Sequence, residues 1–210
     1  MNEHYPFANP PLPYTYDALE PYVNIQTLYQ HHNRILQQYV TNLNNILKDY
    51  PELQTLSLEE LLTSAENLPP EIRQSVIDRA GGIYNHMIYF YGMANPSAYF
   101  QTVYLSPAII RDFGTGENFF NEYKKYAMSI FGPGYAWLVA DSDGKLRFIT
   151  TSYEDSPILY NLCIVAGIDV WEHSYYAPYF TSRSAYIEDW FHVLNWEIME
   201  RRYKNCINVE

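Results

Sequence analysis

The segment AGIDVWEHSYY, residues 166–176, sets a carboxylate, Asp169, four residues ahead of an imidazole, His173, with Trp171 between them. That spacing fits an ion pair along a helix. It also fits two side chains that face a common object. His31, in HHNRILQQY, and His86, in IYNHMIYF, lie in further apolar and aromatic stretches of the first half. Buried imidazole and carboxylate groups need compensation, and one cation supplies it for all four. Three nitrogens and one oxygen without a thiolate suit iron, manganese or zinc. Taken singly, each histidine is equally well a hydrogen-bonded core residue, so spacing alone leaves both readings open. His4 lies in a proline-rich arm and reads as solvated, while His192 among Trp190, Phe191 and Trp196 reads as a packed or surface histidine.

The elements that must position these residues divide into two groups. The proline-dense start, through Pro21, reads as an extended arm. Asn24 can then cap a long helix with apolar residues at Ile25, Leu28, Ile35, Tyr39, Leu43 and Leu47. SLEELLTSAENL predicts a short helix with Ser57 and Glu60 as a capping box. LPPEIRQSVIDRA predicts another, with Gly81-Gly82 interrupting the pattern before IYNHMIYFYGM. SPAIIRDFG and GENFFNEYKKYAMSIFG add two helices that end at glycines. YAWLVA and KLRFITTS, joined by DSDG, predict a hairpin, and PILYNLCIVAGIDV predicts a third strand. SAYIEDWFHVLNWEIMERRYKN predicts one C-terminal helix. Helices, three strands and a helix in that order make an α+β protein without a βαβ alternation or a repeat. The expected division is an N-terminal arm and helical unit over 1–95 and a C-terminal α+β unit over 96–210.

Composition narrows the function classes. A chain of 210 residues that is 48% hydrophobic and 18% charged is a folded one. Its net charge of -11 argues against nucleic acid or an anionic membrane as partner. No apolar run approaches the ~18 residues of a membrane span. MNEHYPFANPPLPYTY shows no basic region followed by an apolar one, so the expected location is cytoplasmic, with association with a coat or surface left open. Cys163 and Cys206 lack metal-like spacing, and Cys163, in an apolar run, reads as a buried thiol of a reducing compartment.

The motifs LPYTYDALEP, HHNRILQQYVTNLN, GGIYNH, RDFG, FGPGYAWL, GIDVWEHSYY and VLNWE occur in that order. With them the chain resembles the iron/manganese superoxide dismutase family from about residue 11 to 205. The resemblance implies an N-terminal helical hairpin domain, a C-terminal α+β domain with a three-stranded antiparallel sheet, and one iron or manganese ion per chain between them. It implies His31, His86, Asp169 and His173 as ligands, Trp171 and Trp137 as walls, and Tyr39 at the substrate gateway. Arg183 matches a family arginine near the channel. Superoxide is then the substrate, converted to oxygen and hydrogen peroxide by a metal alternating between +3 and +2, which zinc cannot do. A homodimer joined through Glu172, His173 and Tyr176 is implied too.

The departures from the family bear on the chemistry. Ile35 stands where a gateway histidine normally bonds the partner's tyrosine, matched here by Tyr176. Tyr135 replaces a pocket tryptophan, and Pro133 a serine. Glu154 stands where manganese-type members carry a glutamine that hydrogen-bonds the metal-bound solvent; iron-type members supply that amide from the position of Gly82. An ionised Glu154 roughly 5 Å from the metal, at an effective dielectric of about 20, would favour the +3 state by about 3 kcal/mol, or on the order of 140 mV. Ionised, Glu154 reduces activity; protonated or turned outward it replaces the amide structurally, and drawn in by a trivalent ion it becomes a fifth ligand, three outcomes the sequence leaves open. The alternatives are a divergent member that binds metal with weak or no dismutation, in a metal-binding or structural role, and an interaction domain without metal.

Overall fold

The computed structural model describes residues 3–96 and 102–209. Asn24 opens the first helix as its side-chain oxygen accepts from the N–H groups of Gln26 and Thr27, which α1 (Ile25–Gln30) leaves without helical partners. The helical path continues through a π-helical stretch, His31–Leu36, into α2 (Gln37–Leu47). Widened turns of this type recur at functional sites, and this one carries His31 and Ile35. Leu28, Leu36, Val40, Leu43 and Leu47 form its buried side. Ser57 and Glu60 cap α3 (Leu58–Thr63) in a complete capping box. The N-terminal arm is docked rather than free. Asn44 exchanges two hydrogen bonds with the backbone of Phe7, and the Tyr14 hydroxyl donates to the Phe90 carbonyl.

α4 (Arg73–Tyr91) packs on α2 and α3. It corrects one sequence expectation, because Gly81 and Gly82 lie inside it and do not interrupt it. Close approach explains them: a Cβ on Gly81 would stand 2.5 Å from the Glu154 carbonyl oxygen, and one on Gly82 would stand 2.4 Å from the Tyr39 ring.

The second half begins with α5 (Leu105–Phe113), closed by Gly114 at φ 82°, and α6 (Gly116–Ser129), which ends at an extended Ile130 rather than at a glycine. β1 (Gly134–Ala140), β2 (Leu146–Ser152) and β3 (Cys163–Asp169) form an antiparallel sheet in the order β2-β1-β3. The third strand is shorter than its apolar run, since Pro157–Tyr160 forms a 3₁₀ turn ahead of it. Central β1 is buried on both faces. Alternation sends Ala136, Leu138 and Ala140 into the main core, and Tyr135, Trp137 and Val139 into a smaller cluster with Ile164. Tyr135 pairs with Asp169 and Trp137 with Gly167, so both rings share a sheet face with the Asp169 carboxylate.

α7 (Glu172–Tyr179), α8 (Arg183–Phe191) and α9 (Trp196–Cys206) complete the chain. The single expected C-terminal helix is thus two. The chain turns at 192–195, where the Asn195 side chain caps α9 and its N–H donates to the Gly92 carbonyl at the end of α4. Cys163 and Cys206 form a disulfide with Cα atoms 5.6 Å apart, which overturns the reading of Cys163 as a free buried thiol. The seam expected between the halves, residues 93–107, falls partly outside the described residues. Among the described residues no helix is long and apolar enough to cross a membrane.

Candidate metal centre

Four elements deliver one side chain each to a common point. His31 comes from the π-helical stretch, His86 from α4, Asp169 from the end of β3 and His173 from the first turn of α7. Their candidate ligand atoms all lie within 4.8 Å of one another. Asp169 Oδ2 is 3.2 Å from His31 Nε2, 3.8 Å from His86 Nε2 and 3.3 Å from His173 Nε2. The four-residue spacing of Asp169 and His173 is therefore a strand-to-helix corner and not a pair along one helix. The corner is pinned by the Trp171 N–H, which donates to Asp169 Oδ1 at 2.8 Å and leaves Oδ2 facing the histidines.

The protonation states follow from the neighbours. His86 Nδ1 is 2.5 Å from the Gly82 carbonyl, which can only accept, so the proton sits on Nδ1 and the Nε2 lone pair faces the centre. Burial, then the charge of His173, pushes His31 down to about 4; burial, then His31, pushes His86 down to about 3. Burial alone would raise Asp169, but His173 and His31 hold its carboxyl well below the usual range. Neutral imidazoles at His31 and His86 beside an ionised carboxylate suit a cation. Moreover, Nε2 of His31 and of His86 are buried and, among the described residues, make no hydrogen bond of proper geometry, despite the nearness of Asp169 Oδ2. Orphaned buried nitrogens are rare, and an N3O cation would satisfy both. The donor set thus fits the group. Adjacent His32 shows the contrast: Nδ1 meets the Tyr16 hydroxyl at 2.9 Å and Nε2 meets the Pro10 carbonyl at 2.8 Å.

Known proteins resemble this chain over nearly its whole length. Residues 6–94 match the alpha-hairpin domain of iron/manganese superoxide dismutases, and residues 101–202 match the C-terminal domain. The chain belongs to the iron/manganese superoxide dismutase family. It is 39% identical over 203 residues to superoxide dismutase [Mn] of Thermus aquaticus, covering 96% of this chain and 99% of the relative. It is 39% identical over 194 residues to superoxide dismutase [Mn] of Listeria monocytogenes, covering 92% and 96%. Superoxide dismutase [Mn] 1 of Leptolyngbya boryana is 38% identical over 195 residues, 92% of this chain and 79% of the relative.

Against the family pattern, Glu154 is the most informative position. It is 4% exposed and turned inward. Its Oε1 accepts from the Tyr39 hydroxyl at 2.7 Å, and its Oε2 accepts from the Tyr135 hydroxyl at 3.0 Å. Asn85 Nδ2 donates to the Glu154 carbonyl at 3.0 Å and lies 3.5 Å from Oε2. Burial first, then the Asp169 charge, pushes the Glu154 carboxyl up to about 8, against the pull of these three donors. Burial and Glu154 keep Tyr39 well above its ordinary range, and burial and Asp169 do so for Tyr135, so both phenols hold their protons. The iron-type route to an amide is closed, because the Tyr39 ring fills the space beside Gly82. Tyr135, which replaces the pocket tryptophan, turns its hydroxyl to Glu154 in the small cluster.

The remaining expected residues are distributed unevenly. Trp171 stacks on His173 at 5.5 Å, and Tyr39 lies 5.4 Å from the His86 ring. Together with Ile35 they line a cavity of about 280 Å³ that reaches His173. Trp137 stacks on Tyr135 at 5.1 Å, and Tyr135 stands 6.3 Å edge-on to His86, so the indole backs the pocket one layer out. Gly167 makes room for it, since a Cβ there would meet the indole at 2.3 Å. Tyr176 and Glu172 are exposed on α7 and do not enter the cluster within one chain. Arg183 grips the turn before β1, donating to the Ile130 and Gly132 carbonyls at 2.6 and 2.9 Å. Sequence reasoning missed Asn85 and the Tyr135 hydroxyl. Tyr135 was within reach of strand alternation, whereas no pattern announced Asn85.

Proposed function

We propose that this protein is a superoxide dismutase in which His31, His86, Asp169 and His173 hold one iron or manganese ion. The observation that carries this reading is the pair of buried, partnerless Nε2 atoms converging with His173 on one carboxylate oxygen. The names of the relatives, superoxide dismutase [Mn], support it. A bound ion of either metal supplies the +3/+2 exchange that oxidises one superoxide to oxygen and reduces the next to hydrogen peroxide. The chain's own residues select and protonate. Ile35, Tyr39 and Trp171 narrow the approach, and Tyr39, which lines the cavity, donates its hydroxyl hydrogen bond to Glu154 Oε1. Tyr135 closes that chain from the other side.

In this reading the halves 1–95 and 96–210 form two domains, with matched segments ending at 94 and resuming at 101. Two copies pair through Glu172, His173 and Tyr176, each contributing the same patch. The large exposed aromatics Tyr176 and Phe180, at 55% and 69% exposure, favour a covered surface there.

A second reading is favoured by Glu154. A carboxyl in the amide's place opposes reduction of a +3 ion when ionised, so the protein binds metal but dismutates slowly. One experiment separates the readings: a xanthine-oxidase-coupled dismutase assay normalised to bound iron or manganese, on matched samples of each. A fast rate per metal supports the first reading, a slow rate on fully loaded protein supports the second, and a chain that loads neither metal sinks both.

A further inference from the structure

Two cavities open beside Tyr39 and Trp171, and their charges differ. The one of about 280 Å³ reaches His173 past Ile35, Gln38 and Asn42, with no carboxyl group in its lining. Its neighbour, of about 430 Å³, presents three: Asp78, Glu154 and Asp155. Arg79 borders both. Its guanidinium carbon lies 5.9 Å above the centre of the Tyr39 ring, a stacking contact that fixes the cation without neutralising it. Among the described residues no carboxylate lies within ion-pair distance of Arg79. An arginine whose task was to quench the nearby acids would sit on one of them.

We propose that Arg79 is the guide that draws small anions, superoxide among them, into the carboxylate-free cavity and away from the acidic one. The proposal rests on the dismutase reading for the identity of the anion. The physical need is plain in a chain of net charge -11, whose overall field repels a monoanion. A guanidinium held on Tyr39 in the lining reverses that field locally, and Asp78 and Asp155 next door disfavour entry of the anion into the wrong opening. Tyr39 forms part of both walls, so the cation also stands over the ring whose hydroxyl donates to Glu154.

The test uses the full-length, metal-loaded protein with Arg79→Gln, Arg79→Lys and the double variant Arg79→Gln/Gln38→Lys, which restores a cation to the same cavity. kcat/KM for superoxide is measured across ionic strength, and azide affinity is read from the visible absorption of the metal. Arg79→Gln should lower kcat/KM about tenfold at low salt and flatten its salt dependence. It should weaken azide binding by a similar factor at unchanged metal content. Arg79→Lys and the double variant should recover both, which a purely structural role would not allow. Arg79→Gln with wild-type salt dependence and azide affinity overturns the proposal. If wild-type protein does not turn over superoxide, the dismutase reading fails and the azide arm alone judges Arg79: weaker binding upholds it, unchanged binding sinks it. If Arg79→Gln loads metal poorly, the double variant decides, because failure to recover azide affinity on loaded protein rejects a role for charge.

Discussion

Glu154 holds two phenol donors, an amide at its backbone and, among the described residues, no cation within ion-pair reach, in a space that burial makes hostile to charge. Replacing it with glutamine removes the charge that appears as pH approaches about 8 and restores an amide donor at every pH. Glu154→Gln should therefore raise dismutase activity per bound metal, and equal rates and reduction potentials in both proteins would count against a role for Glu154 beside the metal. A pH effect follows as well. Its folded-state value, about 8, lies above the ordinary 4.5, so the folded chain favours the protonated form. That contribution is fully present below about pH 4.5 and is lost as pH rises through about 8. In chelator-stripped protein, Glu154→Gln should gain stability over wild type across that window, by on the order of 5 kcal/mol at most. Urea unfolding at both ends of the window measures it; a pH-independent difference would mean the carboxyl ionises without penalty. The ligands are tested more simply. His86→Ala or Asp169→Ala should abolish metal retention, since losing one leaves a buried site uncompensated. Full occupancy by elemental analysis in both variants would show the wrong ligands.

At the scale of elements, the site is a meeting of a π-helical stretch, a glycine-bearing helix and the end of a strand. α4 comes close enough for Asn85 and His86 to work because Gly81 and Gly82 have no side chains to hold it off. β3 aims Asp169 because its register with β1 is fixed, and the far ends of β3 and α9 are tied by Cys163–Cys206. The crosslink spans a sequence separation of 43, for which chain-entropy reasoning gives stabilisation of about 2–4 kcal/mol. Reduction, or the Cys163→Ala/Cys206→Ala pair, should lower the unfolding free energy by that amount while leaving metal content intact. Two free thiols titrated in denatured, unreduced protein would instead mean that the bond does not form.

At the scale of the whole molecule, α7 offers one exposed patch beside the candidate metal centre. Glu172 is about half exposed, 4.0 Å from Arg183, and lies beside His173. In a two-fold dimer it would reach the partner's His173, and Ile35 offers no hydrogen bond to share that task. Glu172→Ala should weaken both dimerisation and metal retention, seen by sedimentation and metal analysis together. A stable, fully metallated Glu172→Ala dimer would place the interface elsewhere.

Most helical and strand-forming segments and the α+β order are legible in the chain alone, because they depend on local periodicity and capping, whereas the candidate ligands came from resemblance through motifs such as DVWEH, spacing having left a packed-core reading open. Asn24 and the Ser57–Glu60 box stand where their side-chain chemistry demands. Contacts between distant segments were decided only in three dimensions. Gly81-Gly82 looked like a break because propensity is local, yet packing against Tyr39 and Glu154 makes the same pair a point of contact. Cys163 looked like a free thiol because no pattern ties it to Cys206. Glu154 was legible as a departure, but its inward orientation and its donors Tyr39, Tyr135 and Asn85 come from three elements that only the fold assembles. Local free-energy preferences are written residue by residue, whereas the desolvation and charge that govern this site arise from which segments the fold buries together.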